Sequence, residues 1–138
     1  DIKPEAQRML SVTEKALSAG IGAALPGNKV HDISRAIQTI VESHGYSVVR
    51  ELTGHGVGKN LHEEPVIPNF VCDGPDVEIK PGMGLAIEPM VNMGMYDVVT
   101  APNGWTILTR DESLSCHYED TVLVTEDSVV NLTRIVED

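Results

Sequence analysis

Gly54-His55-Gly56-Val57-Gly58-Lys59-Asn60-Leu61-His62-Glu63-Glu64-Pro65 sets two histidines seven residues apart. Glycines flank His55, so no neighbouring side chain shields its imidazole, and the backbone there is free to take φ > 0. The run reads as a glycine-rich loop that presents the ring to a ligand. The competing reading is a turn holding an incidental histidine. His62 is followed by two carboxylates and a proline. Pro65 and the missing second histidine rule out the helical HExxH zinc motif. A neutral imidazole at His62 can donate a hydrogen bond to a developing charge. The alternative is a surface histidine beside an acidic loop.

Downstream, Pro81-Gly82 turns into a strand from Met83 to Glu88, within Leu85-Ala86-Ile87-Glu88-Pro89-Met90. A carboxylate in that apolar setting needs a partner if it is buried, and a metal ion supplies one. Glu119 interrupts a second apolar strand, Ser115 to Thr125. Alternation places His117, Glu119 and Thr121 on one face and Tyr118, Asp120 and Val122 on the other. For each glutamate the alternative is an outward-facing strand position. Between these strands, Met95 to Thr109 reads as a hairpin turning at Pro102-Asn103-Gly104. A short strand, Val129 to Leu132, follows the second. Pro65 to Asp76 reads as irregular. Trp105 and Leu61 are candidates for an apolar pocket, with plain core as the alternative.

Upstream, Ala6, Met9, Leu10, Thr13, Ala16 and Leu17 recur at helical spacing. They predict a helix from Pro4 to about Ala19, ended by Gly20 and Gly22. Leu25-Pro26-Gly27-Asn28 is a turn. Val30, Ile33, Ile37, Ile40 and Val41 form the buried stripe of a second helix, Val30 to Ser43, stopped by Gly45. Tyr46 to Leu52 reads as a strand. His31 and His44 take helix-surface positions without a role. Two helices followed by an antiparallel sheet give an α+β fold in packed layers.

The 138 residues suffice for one domain, 1–138, with a real core. A net charge of −11 repels phosphate backbones and argues against nucleic-acid partners. No apolar run is long enough to cross a bilayer, and the polar start shows no signal peptide. Cys72 and Cys116 lack CxxC spacing and read as free thiols in a reducing cytoplasm. The acidic end, Val136-Glu137-Asp138, reads as solvated. The chain opens on Asp1 rather than Met, and so reads as a fragment or a processed product.

Gly54-His55-Gly56-Val57-Gly58 with Leu61-His62-Glu63-Glu64-Pro65, then Ile87-Glu88-Pro89-Met90, Gly104-Trp105-Thr106 and Tyr118-Glu119-Asp120-Thr121, closely resembles type I methionine aminopeptidases, in one order over the whole chain. Each motif alone is weak, whereas the set is specific. The resemblance implies a pita-bread fold, a dinuclear metal centre and removal of the initiator methionine from new polypeptides. It implies His55, Glu88 and Glu119 as metal ligands, His62 as the contact to substrate near the scissile amide, and Trp105 as part of the methionine pocket. Two divalent ions, drawn from Co, Mn, Fe or Zn, would share a water or hydroxide, lower its pKa and polarise the scissile carbonyl. Glu88 would also shuttle the proton, and Glu119 would bridge the ions. The partner is then the N-terminal methionine of peptides or nascent chains.

Three departures matter. Two further aspartate ligands and another histidine of the family lie upstream of the matched part. The chain therefore resembles only the carboxyl-terminal half of the catalytic domain, with an incomplete site unless an upstream half supplies the rest. Leu61 stands where many members carry an aromatic residue. His117 stands where a glutamine is usual, and is either an added ligand or only a substitution. Two other readings stay open. A proline-specific relative, prolidase or aminopeptidase P, shares the Tyr118-to-Thr125 pattern. A non-catalytic binding module would keep the fold and lack the metal.

Overall fold

The computed structural model describes residues 2–134, so the acidic end read as solvated lies outside the described residues. Two helices, α1 (Pro4–Ala23) and α2 (Val30–Ser43), precede ten short strands. These are β1 (Ser47–Val48), β2 (Gly54–Val57), β3 (Glu63–Ile67), β4 (Gly84–Ile87), β5 (Met90–Asn92), β6 (Val98–Thr100), β7 (Ile107–Thr109), β8 (Ser115–His117), β9 (Asp120–Val124) and β10 (Val129–Asn131). They form a five-stranded sheet in the order β10-β9-β4-β2-β3, a three-stranded sheet β1-β5-β8, and the β6-β7 hairpin. Every pairing is antiparallel.

The core lies between the helices and one face of the sheets. Met9, Ala16 and Leu17 of α1 and Ile33, Ile37 and Val41 of α2 pack with Leu85, Ile87, Val91, Val122 and Val124. Helix α2 ends as the sequence predicts, with Gly45 just beyond it at φ 78°. Its amino end is satisfied from outside: the Asp76 carboxylate accepts the His31 N–H at 2.9 Å.

Helix α1 does not stop at Gly20. It continues through both glycines to Ala23. Gly20 is buried, and a Cβ there would lie 2.9 Å from Ile37 Cγ1 and 3.2 Å from Ile87 Cγ2. The residue is small because helix, helix and strand meet at that point, not because the chain turns.

The strand from Tyr46 to Leu52 shrinks to the two paired residues of β1. Arg50 leaves the ladder and stacks its guanidinium over Tyr96, 3.9 Å from the ring centre. The segment expected to be irregular from Pro65 opens inside β3 and becomes irregular only after Ile67.

Only residues 58–62 of the histidine run form a loop, between β2 and β3. Gly54 to Val57 is an interior strand, paired with β3 on one side and β4 on the other. A Cβ at Gly54 would collide with the Ala86 carbonyl oxygen, and one at Gly56 with the Glu64 carbonyl oxygen. Neither glycine has positive φ. Glycine is used here for close backbone approach, which is its usual meaning inside a strand. A register shift between His55 and Gly56 marks a bulge on the β3 side.

The strand predicted from Ser115 to Thr125 is two strands. β8 belongs to the three-stranded sheet and β9 to the five-stranded one. β4 and β5 divide in the same way across Glu88-Pro89. The ladders Ile87↔Asp120 and Met90↔His117 close on either side. Glu88-Pro89 and Tyr118-Glu119 therefore face each other where the two sheets part.

Candidate metal centre

Register alone places three of the predicted site residues on one face. His55 pairs with Ala86, and Ala86 with Thr121, so these form one row across the sheet. Glu88 lies two residues beyond Ala86, and Glu119 two before Thr121. In an antiparallel pair both steps run the same way, and residues two apart share a face. Donor atoms of His55, Glu88 and Glu119 lie within 4.8 Å of one another. His55 and Glu88 are largely buried, while Glu119 is exposed. The gap between the sheets frees both glutamates from the ladder and leaves their carboxylates turned toward the imidazole.

The hydrogen bonds fix the chemistry of His55. Its Nδ1 donates to the Gly56 carbonyl at 2.9 Å. A carbonyl only accepts, so Nδ1 carries a proton, and whenever the ring is neutral Nε2 presents a lone pair. That lone pair faces Glu88 Oε1 at 3.4 Å. Imidazole nitrogen and carboxylate oxygens thus converge as acceptors, which is unfavourable unless a cation or a proton lies among them. One nitrogen with carboxylate oxygens, the other ring nitrogen anchored on a carbonyl, suits a borderline divalent metal. The residues present fit such an ion.

His117 touches the cluster from the other side, with Nε2 3.2 Å from Glu88 Oε2. The hydrogen bond to Glu88 raises its pKa above the ordinary histidine value, burial opposes this, and the charges of Glu88 and Glu119 raise it further. His62 lies over His55, with ring centres 4.2 Å apart. The two rings share an open hollow of about 470 Å³ with Thr53, Glu63, Glu64 and Val66. A smaller apolar hollow of about 180 Å³, walled by Leu52, Met90, Ile107 and Leu108 among others, reaches His117. Leu61 is 71% exposed, and Trp105 is 87% exposed at the hairpin tip. Neither lines these two hollows.

Asn69 escaped the sequence reading. It is buried, and its Nδ2 donates to the Glu88 carbonyl at 3.1 Å. The only signal was one amide in the apolar stretch Val66-Ile67-Pro68-Asn69-Phe70. Cys72 and Cys116 are both free, and burial pushes the Cys116 thiol up.

Residues 1–126 match metallopeptidase family M24. A methionine aminopeptidase of Clostridium perfringens is 46% identical over 135 residues, which is 98% of this chain and 54% of that protein. The crystal structure of methionine aminopeptidase from Rickettsia prowazekii superposes with a TM-score of 0.92 at 42% identity, over 97% of this chain and 54% of that one. The prolidase of Pyrococcus furiosus superposes with a TM-score of 0.75 at 23% identity, over 99% of this chain and 35% of that one, a likeness of fold alone. The chain thus spans about half the length of the curated relatives it matches.

Proposed function

We propose, because this chain belongs to metallopeptidase family M24 and carries about half of its pita-bread fold, that it forms the carboxyl-terminal portion of a methionine aminopeptidase catalytic domain. The observation that carries this reading is the convergent set of His55, Glu88 and Glu119, whose ligand atoms lie within 4.8 Å of one another. Identities above 40% to methionine aminopeptidases, against 23% to a prolidase, favour methionine over proline specificity.

With the ligands of an upstream half, His55, Glu88 and Glu119 would hold the divalent ions, Glu119 serving both. Cobalt, manganese, iron and zinc all suit mixed imidazole and carboxylate ligation. Such ions lower the pKa of a water and polarise a carbonyl. Glu88 moves the proton from the attacking water to the leaving amine nitrogen. His62, on the rim beside His55, donates to the oxygen that gains charge as the first peptide bond breaks. Leu61 and Trp105 line the pocket for the methionine thioether once the rest of the domain encloses them.

Their exposure fits that last point. So do Val66, Leu123 and Val130, which are 50%, 38% and 46% exposed on the sheet face that carries His55. Apolar groups grouped around a site mark a surface meant to be covered. The covering partner is an upstream half of the same domain, which also supplies the remaining ligands. The substrate is the N-terminal methionine of peptides or nascent chains in the cytoplasm, with no nucleic acid and no membrane involved. Among the described residues no helix is long and apolar enough to cross a membrane.

A chimaera tests the reading. Residues 1–138 replace the matching portion of the Clostridium perfringens relative, and hydrolysis of Met-Gly-Met is compared with that of Xaa-Pro peptides. The chimaera should release methionine and spare Xaa-Pro, and His55→Ala within it should abolish the activity. A folded, metal-loaded chimaera that cleaves neither peptide, or prefers Xaa-Pro, would count against the assignment.

A further inference from the structure

His117 stands outside the three-residue cluster and yet touches it. We propose that His117 is a positioning residue for Glu88: its Nε2–H donates to Oε2 and so leaves Oε1, the oxygen facing His55, for the ion. The proposal rests on the metal-centre reading.

The geometry separates this role from that of a fourth ligand. A glutamate carboxylate can offer either oxygen, because its last torsion is broad. Here the two oxygens have different neighbours. Oε1 lies 3.4 Å from His55 Nε2, and Oε2 lies 3.2 Å from His117 Nε2. His117 is absent from the group whose donor atoms all lie within 4.8 Å of one another. Its imidazole is instead within hydrogen-bond distance of the second oxygen of a ligand, which is how outer residues orient metal carboxylates.

His117 is well placed to impose direction. It pairs with Met90 in the ladder of β5 and β8, so a rigid strand pair carries it two residues from Glu88. Asn69 holds the Glu88 backbone carbonyl at 3.1 Å. Glu88 is thus pinned at its main chain by Asn69 and at its far oxygen by His117. Only the near oxygen remains free to turn toward His55.

The test is Co2+ binding to the chimaera described above, in which the upstream half supplies the remaining ligands, followed by visible absorption and calorimetry, with imidazole 15N spectra recorded on its Zn2+-loaded form. His117→Leu removes the donor and should weaken Co2+ binding by about 10- to 100-fold. His117→Gln keeps an N–H donor but is a poor ligand, and should retain nearly the wild-type affinity and absorption spectrum. In the 15N spectra, Zn2+ should shift His55 Nε2 while His117 Nε2 keeps its proton. Equal losses in the Gln and Leu variants, with loss of the His117 Nε2 proton on loading, would make His117 a ligand and overturn the proposal. A Leu variant that binds as tightly as wild type would overturn it as well. His55→Ala is the control for the underlying reading. If wild type binds no Co2+, or no more than His55→Ala does, the metal centre itself fails and the role of His117 falls with it.

Discussion

At the scale of the residue, the centre is built from groups that oppose one another unless a cation or a proton lies among them. The Nε2 lone pair of His55 and the carboxylates of Glu88 and Glu119 point at a common position. Such an arrangement costs stability in the metal-free chain, as functional sites often do. Glu119→Gln removes one charge from the cluster without changing its size. It should stabilise the metal-free chain by roughly 0.5 kcal/mol, a modest figure because Glu119 is exposed and screened. The same substitution should abolish the rise in melting temperature that Co2+ gives wild type. Thermal unfolding with and without Co2+ measures both. A variant that is less stable without metal, or that still gains stability from Co2+, would contradict this account of the cluster.

At the scale of the element, the glycines show what could be read in advance and what could not. In α1, Gly20 is packed against Ile37 and Ile87, while Gly22 has nothing within 4 Å of its absent Cβ. Gly22→Ala should therefore stabilise the chain by about 0.5–1 kcal/mol through helix propensity. Gly20→Ala should destabilise it by about 1–3 kcal/mol through overpacking. Urea unfolding of the two variants compares them directly, and equal effects would refute the packing argument. The β6-β7 hairpin is closed at its base by Asp111, whose carboxylate accepts the Met95 N–H at 2.7 Å and the Ser113 N–H at 3.1 Å. The Met95 bond foremost, with those to Ser113, lowers its pKa from the ordinary 3.8. A carboxylate depressed by folding stabilises above its unfolded pKa, and the benefit fades as pH falls through the folded value. Wild type should thus exceed Asp111→Asn in stability at neutral pH and lose that advantage progressively as pH falls below the ordinary value of 3.8. Stability of the pair measured across that range checks the sign. Helix α2 and the hairpin turn were legible because stripe, stop and turn residues carry local signals. β2 was not, because a glycine chosen for close approach to a neighbouring strand looks the same in sequence as one chosen to turn. The division of each long strand at Glu88-Pro89 and Tyr118-Glu119 was hidden for a related reason. Alternation continues across the break, and only tertiary pairing decides which sheet each side joins. The candidate ligands themselves were legible, since isolated acids in apolar strands stand out. Asn69 and the contact of His117 with Glu88 depend on non-local packing and left almost no trace.

At the scale of the whole molecule, one layer is complete and one face is open. Helices α1 and α2 cover the inner side of the sheets with a continuous core. The outer side carries His55 in a row with Ala86 and Thr121, beside the exposed row of Leu123 and Val130. The acidic chain, with a net charge of −11, gains from a bound cation as well as from a covering partner. Everything proposed for the larger assembly depends on the open face holding a metal among three named side chains. Anomalous diffraction at the cobalt edge, from crystals of the chimaera grown with Co2+, tests that most directly. The account predicts a peak about 2.0–2.2 Å from His55 Nε2 and from one oxygen each of Glu88 and Glu119. A map with cobalt bound elsewhere, or with His55, Glu88 and Glu119 well ordered and no cobalt among them, would contradict it.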